Sequence, residues 1–191
     1  MDKRRVVTFF DDRASEWDSH QERNEDIIAF ILDKGEIAKG KKVLDVACGT
    51  GILFTDYLNR GAIVTGVDIS SSMLQIAKNK YPDIQLICED AEEYVFEKDY
   101  DAVMIYNAFP HFANPEKLIA NLVRALKVGG RFTVAHGMSE TELEKCHSTV
   151  AKDVSLPLPS KEKLCDMMSE LFDVDVMISD EEKYIVSGIK K

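Results

Sequence analysis

The sequence predicts an α/β fold: a doubly wound, mostly parallel sheet of seven strands that ends in an antiparallel hairpin. Three observations point there. Short β-rich apolar runs alternate with helix-period segments between residues 43 and 135, the pattern of a parallel sheet covered by helices on both faces. Tyr100 to Tyr106 (YDAVMIY) is nearly all apolar, as a central parallel strand must be. The tail offers Val174 to Ser179 and Tyr184 to Ile189 on either side of Asp180-Glu181-Glu182-Lys183, a hairpin fit to close one sheet edge.

Taken in order, residues 1–39 read as helical, with Ile27, Ile28, Phe30, Ile31 and Leu32 in one helix. Val43 to Val46 is the first strand, and Ile52 to Arg60 a helix stopped by Gly61. Ala62 to Asp68 is the second strand. Ser70, Ser71 and Ser72 offer cap hydroxyls for a helix over Met73 to Asn79, and Pro82 closes the linker after it. Ile84 to Cys88 is the third strand and Tyr100 to Tyr106 the fourth. Pro115 to Leu126 is a helix, with Leu118, Ile119, Leu122, Val123 and Leu126 at helical spacing. Gly129-Gly130 ends that region, Arg131 to Ala135 is the fifth strand, and Ser160 caps a helix to Phe172. No repeat or second domain is visible in the 191 residues. They divide into an N-terminal helical segment (1–39), read as a lid or substrate segment, and a Rossmann-like core (40–191).

Composition narrows the function. Charged residues make up 30% and the net charge is −10, which repels phosphate backbones and argues against a nucleic-acid partner. The longest basic clusters are Lys3-Arg4-Arg5 and Lys39 to Lys42. No apolar run reaches membrane-spanning length, and Val6 to Phe10 is too short for a leader's apolar core, so no membrane insertion and a cytoplasmic location are expected. The four cysteines (Cys48, Cys88, Cys146, Cys165) form no CxxC pair and read as reduced. Cys146-His147 lacks a second ligand pair, so no metal site is expected.

The chemistry gathers at VLDVACGTGILF, residues 43–54. Gly49 and Gly51 make a side-chain-free turn between a strand and a helix, where backbone N–H groups face a ligand. Asp68 ends the second strand, 17 residues past Gly51, where a carboxylate accepts from ribose hydroxyls. Glu89-Asp90-Ala91 follows the third strand, beside the base of the same nucleoside. Asp45 sits beneath the glycines, placed to order loop amides or receive an ammonium. Together these acids suit a nucleoside that carries positive charge. A dinucleotide fingerprint would need a third glycine where Phe54 stands, and no Lys-Ser/Thr follows for a triphosphate. Tyr94-x-x-x-Lys98 has the spacing of a reductase pair but falls before the fourth strand, and is read as chance.

The set DVACGTG, GVDIS, CEDAEEY, YDAVMIYNAFPHF and LKVGGRFTVAHG resembles the class I S-adenosylmethionine-dependent methyltransferases. Among them it is most similar to the small bacterial type resembling ubiquinone/menaquinone-biosynthesis methyltransferases, whose opening segment FFDDRASEWD also matches. The resemblance implies S-adenosyl-L-methionine as cofactor and S-adenosyl-L-homocysteine as product. It implies that Asp45, Ala47, Cys48, Gly49 and Gly51 cradle the methionine part, with Ala47 where glycine is commoner, a change expected only to narrow the loop slightly. Asp68 would hold the ribose, Ile69 and Met73 would cover the adenine, and Asp90 and Ala91 would meet its edge. Asn107 and Ala108 would border the methyl group, and Phe10 and Trp17 would close over it. Trp17 as a helix anchor is the alternative.

The transfer needs a general base only for a protonated acceptor. His111 is the candidate because it follows the fourth strand and imidazole titrates near neutrality; a structural helix-entry histidine is the alternative. His136 is the second candidate, and His20 and His147 carry no signal. Asn107-Ala108-Phe109-Pro110 lacks the Pro-Pro-aromatic ending of enzymes that methylate bases or amides. A small-molecule acceptor is therefore expected, in a pocket built from residues 1–39 and 138–160 (Met138, Leu143, Val150, Leu156, Leu158), on a monomer or homodimer. A nucleotide-cofactor oxidoreductase and a non-catalytic cofactor-binding regulator remain as alternatives.

Overall fold

The computed structural model describes residues 1–20, 23–97, 99–149 and 151–191, with no side-chain description for 146–149. Lys98, Val150 and the side chains of Cys146 and His147 lie outside the described residues.

Residues 42–46 form β1 (Lys42–Val46), followed by α3 (Phe54–Asn59), β2 (Ile63–Asp68), α4 (Ser71–Lys80), β3 (Gln85–Cys88), β4 (Tyr100–Tyr106), α5 (Pro115–Ala125) and β5 (Leu126–His136). Before them lie α1 (Lys3–Arg13), a 3-10 turn (Ala14–His20) and α2 (Glu25–Lys34); after them come α6 (Glu140–Thr149), α7 (Lys161–Met168), β6 (Phe172–Ser179) and β7 (Tyr184–Lys190). The strands form one seven-stranded sheet ordered β3-β2-β1-β4-β5-β7-β6. β1 to β5 run parallel, and β7 is antiparallel to both β5 and β6.

Alternation along β1 divides the core. Leu44 and Val46 join Val103 and Ile105 of β4 on one face, under Leu118, Ile119 and Leu122 of α5 and Leu164 and Met168 of α7. Val43 and Met104 face the other way, under Ile28, Ile31 and Leu32 of α2, Phe54 and Tyr57 of α3, and Leu74 and Ala77 of α4. The caps follow chemistry. Asn24, Ser70, Asn114 and Ser160 each accept a first-turn backbone N–H, and Gly61 exits α3 at φ +70°.

Several boundaries differ from the sequence expectation, most by one or two residues, and three differences have a clear cause. β5 starts at Leu126, not Arg131, because Leu126 already pairs with Tyr100; the chain then bulges through Gly129 (φ +76°) before Arg131 resumes opposite Ala102. α7 ends at Met168, and Phe172 opens β6 instead of closing the helix. Its ring is buried and stacks on Phe132, with centroids 5.2 Å apart. The N-terminal helical stretch is broken by the 3-10 turn, and Asn24 restarts it as α2.

In this order the sheet reverses direction of winding between β1 and β4. That switch point leaves a crevice over the carboxyl ends of the strands, the usual ligand position in such sheets. α1 and the 3-10 turn lie across it. None of the described helices is long and apolar enough to cross a membrane.

Candidate active site

Every second residue after β1 adopts the left-handed region: Ala47 at φ +56°, Gly49 at +54° and Gly51 at +83°. The turn needs this conformation so that its N–H groups can point outward. Ala47 therefore carries a backbone cost that a glycine would not, because a side chain raises the cost of the left-handed region. Gly51 N–H donates to the Cys48 carbonyl (2.9 Å), which closes the turn before α3.

Asp68 reaches this loop directly. Its carboxylate accepts from Gly49 N–H and from Ser70 N–H, both at 2.8 Å. Burial raises its pKa to about 6, against the pull of those two N–H donors. Each carboxylate oxygen keeps acceptor capacity beyond one hydrogen bond. Behind the loop, Asp45 is buried, and its Oδ2 has no hydrogen-bond partner among the described residues. Burial, followed by the charge of Asp68, pushes the Asp45 pKa well up.

The crevice is a partly open cleft, walled by the ends of β1, β2, β3 and β4 and by the N-terminal segment. Ala47, Cys48, Gly49, Asp68, Ile69, Met73, Asp90, Ala91, Asn107, Ala108, His111, Phe10 and Trp17 all line it. Asp45 and Gly51 do not: the first lies beneath the loop and the second is covered by the Phe54 ring. His136 is buried at the end of β5, edge-on to Tyr184, and also does not line the cavity. Tyr94 packs edge-on to Phe96 at 4.9 Å. Asn107, at φ +54°, ties β4 to β5: its Oδ1 accepts from Gly137 N–H at 2.9 Å.

The second wall differs from expectation. Among the described residues, no side chain from 138–160 lines the cavity. Val6, Phe9 and Phe10 of α1 instead pack on Ala151 and Val154, so this segment backs α1 instead of facing the ligand. It meets the loop after β4 at two described places: Leu156 N–H donates to the Pro110 carbonyl (2.7 Å), and His111 Nδ1 lies 2.9 Å from the Val154 carbonyl and 3.1 Å from Ser155 Oγ. Phe10 meets the His111 ring edge-on at 5.0 Å and Trp17 at 5.4 Å.

Sequence reasoning missed Lys3, Thr50, Glu92, Tyr106 and Phe112, which also line the cavity. Polar contacts hold the N-terminal segment over it. Lys3 Nζ donates to Asp90 Oδ2 at 2.5 Å and lies 2.6 Å from Glu92 Oε2. Asp11 Oδ1 accepts from Ser70 Oγ (2.6 Å) and Ser72 N–H (3.1 Å). Asp18 accepts from Thr50 Oγ1 (2.5 Å) and Lys80 Nζ (2.7 Å). None of these partners is near in sequence, so no local motif announces them.

The Asp68 shift makes a pH prediction. Asp68 holds its proton to about pH 6 when folded, against an ordinary value of 3.8. Between those values the folded state binds more protons than the unfolded state, so this group's contribution to stability falls as pH rises. Any ligand hydroxyl that needs the charged carboxylate behaves oppositely and gains affinity as pH rises through about 6. Calorimetry and urea unfolding across that range should show both trends, and Asp68→Asn should flatten both.

A parallel sheet with a glycine turn at its switch point and an acid at the next strand tip defines a nucleoside-binding α/β protein. A model of the methyltransferase domain matches residues 44–134. The chain is 33% identical to a demethylmenaquinone methyltransferase of Renibacterium salmoninarum, over 71% of this chain and 60% of the relative. It is 39% identical to a ubiquinone biosynthesis O-methyltransferase of Coxiella burnetii, over 49% of this chain and 42% of the relative. The magnesium protoporphyrin IX methyltransferase of Synechocystis, solved with S-adenosylhomocysteine, superposes over all of both chains at a TM-score of 0.75 and 17% identity. Residues 44–134 of the chain therefore carry a methyltransferase domain, and the fold is that of the class I methyltransferases. The chain spans between about two fifths and three fifths of the length of these two curated relatives.

Proposed function

We propose that the chain transfers a methyl group from S-adenosylmethionine to a small-molecule acceptor. One observation carries this reading: the left-handed loop at Ala47–Gly49 and the Asp68 carboxylate are hydrogen-bonded to each other at the wall of one cavity. The residues present fit the cofactor. Asp68 retains acceptor capacity for ribose hydroxyls, Ile69 and Met73 offer apolar cover for the base, and Asp90 and the Ala91 amide lie where its polar edge would come. The loop from Ala47 to Gly49 would carry the amino-acid part, with Asp45 beneath supporting it. Bound there, the cofactor supplies a methyl group on a positive sulfur, open to in-line displacement with a neutral leaving group.

The protein's own work is positioning, exclusion of water and handling of a proton. Residues 1–39 act as a lid, with Phe10 and Trp17 over the reacting end. Val6, Phe10, Trp17, Tyr106 and Phe112 suit a flat, largely apolar acceptor, and the quinone-pathway names of the relatives support a small molecule. His111 is the candidate base. A carbonyl can only accept, so the Val154 contact puts the neutral ring's hydrogen on Nδ1 and its lone pair on Nε2.

Calorimetry tests the cofactor: S-adenosylhomocysteine should bind and NADH should not. Binding of NADH alone would establish the oxidoreductase reading instead. Transfer of label from methyl-labelled cofactor into a small-molecule extract should then follow; cofactor binding without transfer would favour the regulator.

A further inference from the structure

Asp90, Glu92 and Glu93 each place a carboxylate oxygen within 4.8 Å of the others. Such a trio is costly unless a cation offsets it. Here two cations of the chain itself offset it: Lys117 Nζ sits 2.5 Å from the exposed Glu93, and Lys3 Nζ sits 2.5 Å from Asp90, 2.6 Å from Glu92 and 3.5 Å from Glu93. Glu92 is nearly fully buried, and its other oxygen accepts from Asn114 N–H at 2.9 Å. Asp90 Oδ1 accepts from Glu92 N–H at 2.9 Å, which folds the two acids into one turn after β3. Burial would lower the Lys3 pKa, but its hydrogen bonds to Asp90 and Glu92 outweigh that and hold it above the usual lysine range.

We propose that Lys3 is a positioning residue of the cofactor site, fixing Asp90 for the nucleoside base and docking α1 over it. This rests on the cofactor reading above. Three facts converge on it. Lys3, Asp90 and Glu92 all line the same cavity. Asp90 is the strand-tip acid expected at the base edge. Lys3 begins the helix that carries Val6 and Phe10 into the wall. Removing the ammonium leaves like charges facing one another, so Asp90 turns toward solvent and α1 loses its first anchor.

The test is S-adenosylhomocysteine affinity by calorimetry in wild type, Lys3→Met, Lys3→Arg and the double variant Lys3→Met/Glu92→Gln. Lys3→Met should bind about tenfold more weakly, and its thermal unfolding should also fall, because buried Glu92 loses its counter-ion. Lys3→Arg should recover most of the loss. The double variant should recover part of it, since Glu92→Gln removes a repelling charge while the amide oxygen can still accept from Asn114 N–H; a packing role for Lys3 would not produce that recovery. Amide exchange over residues 3–13 without ligand should be faster in Lys3→Met. Unchanged affinity in Lys3→Met while wild type binds, or a double variant no better than the single, overturns the proposal alone. Failure of the wild type to bind overturns the cofactor reading as well.

Discussion

Asp68→Ala should weaken S-adenosylhomocysteine binding by about 100-fold or more. A hydrogen bond to a charged group contributes roughly 1.5–3 kcal/mol, and two ribose hydroxyls would lose their shared acceptor; each 1.4 kcal/mol is about tenfold. The substitution also frees Gly49 N–H and Ser70 N–H, which Asp68 now holds at 2.8 Å, so the loop loses its set position along with its ligand. Stability should move much less than affinity, because the same change removes a carboxylate whose burial is unfavourable when charged. Calorimetry beside a urea unfolding curve separates the two. An affinity within about threefold of wild type would show that the nucleoside does not sit on Asp68.

Gly51→Ala should destabilise the fold by about 2–5 kcal/mol, the sum of a left-handed backbone cost and an overpacking cost. At φ +83° any side chain is strained, and a Cβ there would come within 2.6 Å of the Phe54 ring. Phe54 cannot step aside: it is fully buried, and its N–H donates to the Gly51 carbonyl at 3.1 Å. Gly49 has open space around the same position, so Gly49→Ala should meet only the backbone cost. A urea midpoint for Gly51→Ala equal to that of Gly49→Ala would contradict this packing.

The element order was legible because hydrophobic period and punctuation agree along most of the chain. YDAVMIY became β4 residue for residue, and Ser70 and Ser160 cap helices as short polar side chains do. Boundaries slipped where tertiary contacts decide. Leu126 looks helical by spacing yet pairs with Tyr100, and Phe172 looks like a helix end yet stacks on Phe132. The strand-tip positions were readable because alternating strands fix where loops meet. Their neighbours from the N-terminal segment were not. Lys3 and Asp90 are 87 positions apart, and Asp11 and Ser70 are 59 apart. No periodicity encodes such pairs. The wall expected from residues 138–160 is not formed by Met138, Leu143, Leu156 or Leu158 for the same reason: apolar side chains read as a pocket wall, whereas Ala151 and Val154 support α1 from behind.

The N-terminal segment is fastened to three separate loops: Asp18 to Thr50 after β1, Asp11 to Ser70 after β2, Lys3 to Asp90 after β3. A cover pinned at three corners does not swing on one hinge. On the cofactor reading, widening the mouth for the demethylated product means loosening ties to three different loops, so a change at any one corner should alter how fast it leaves.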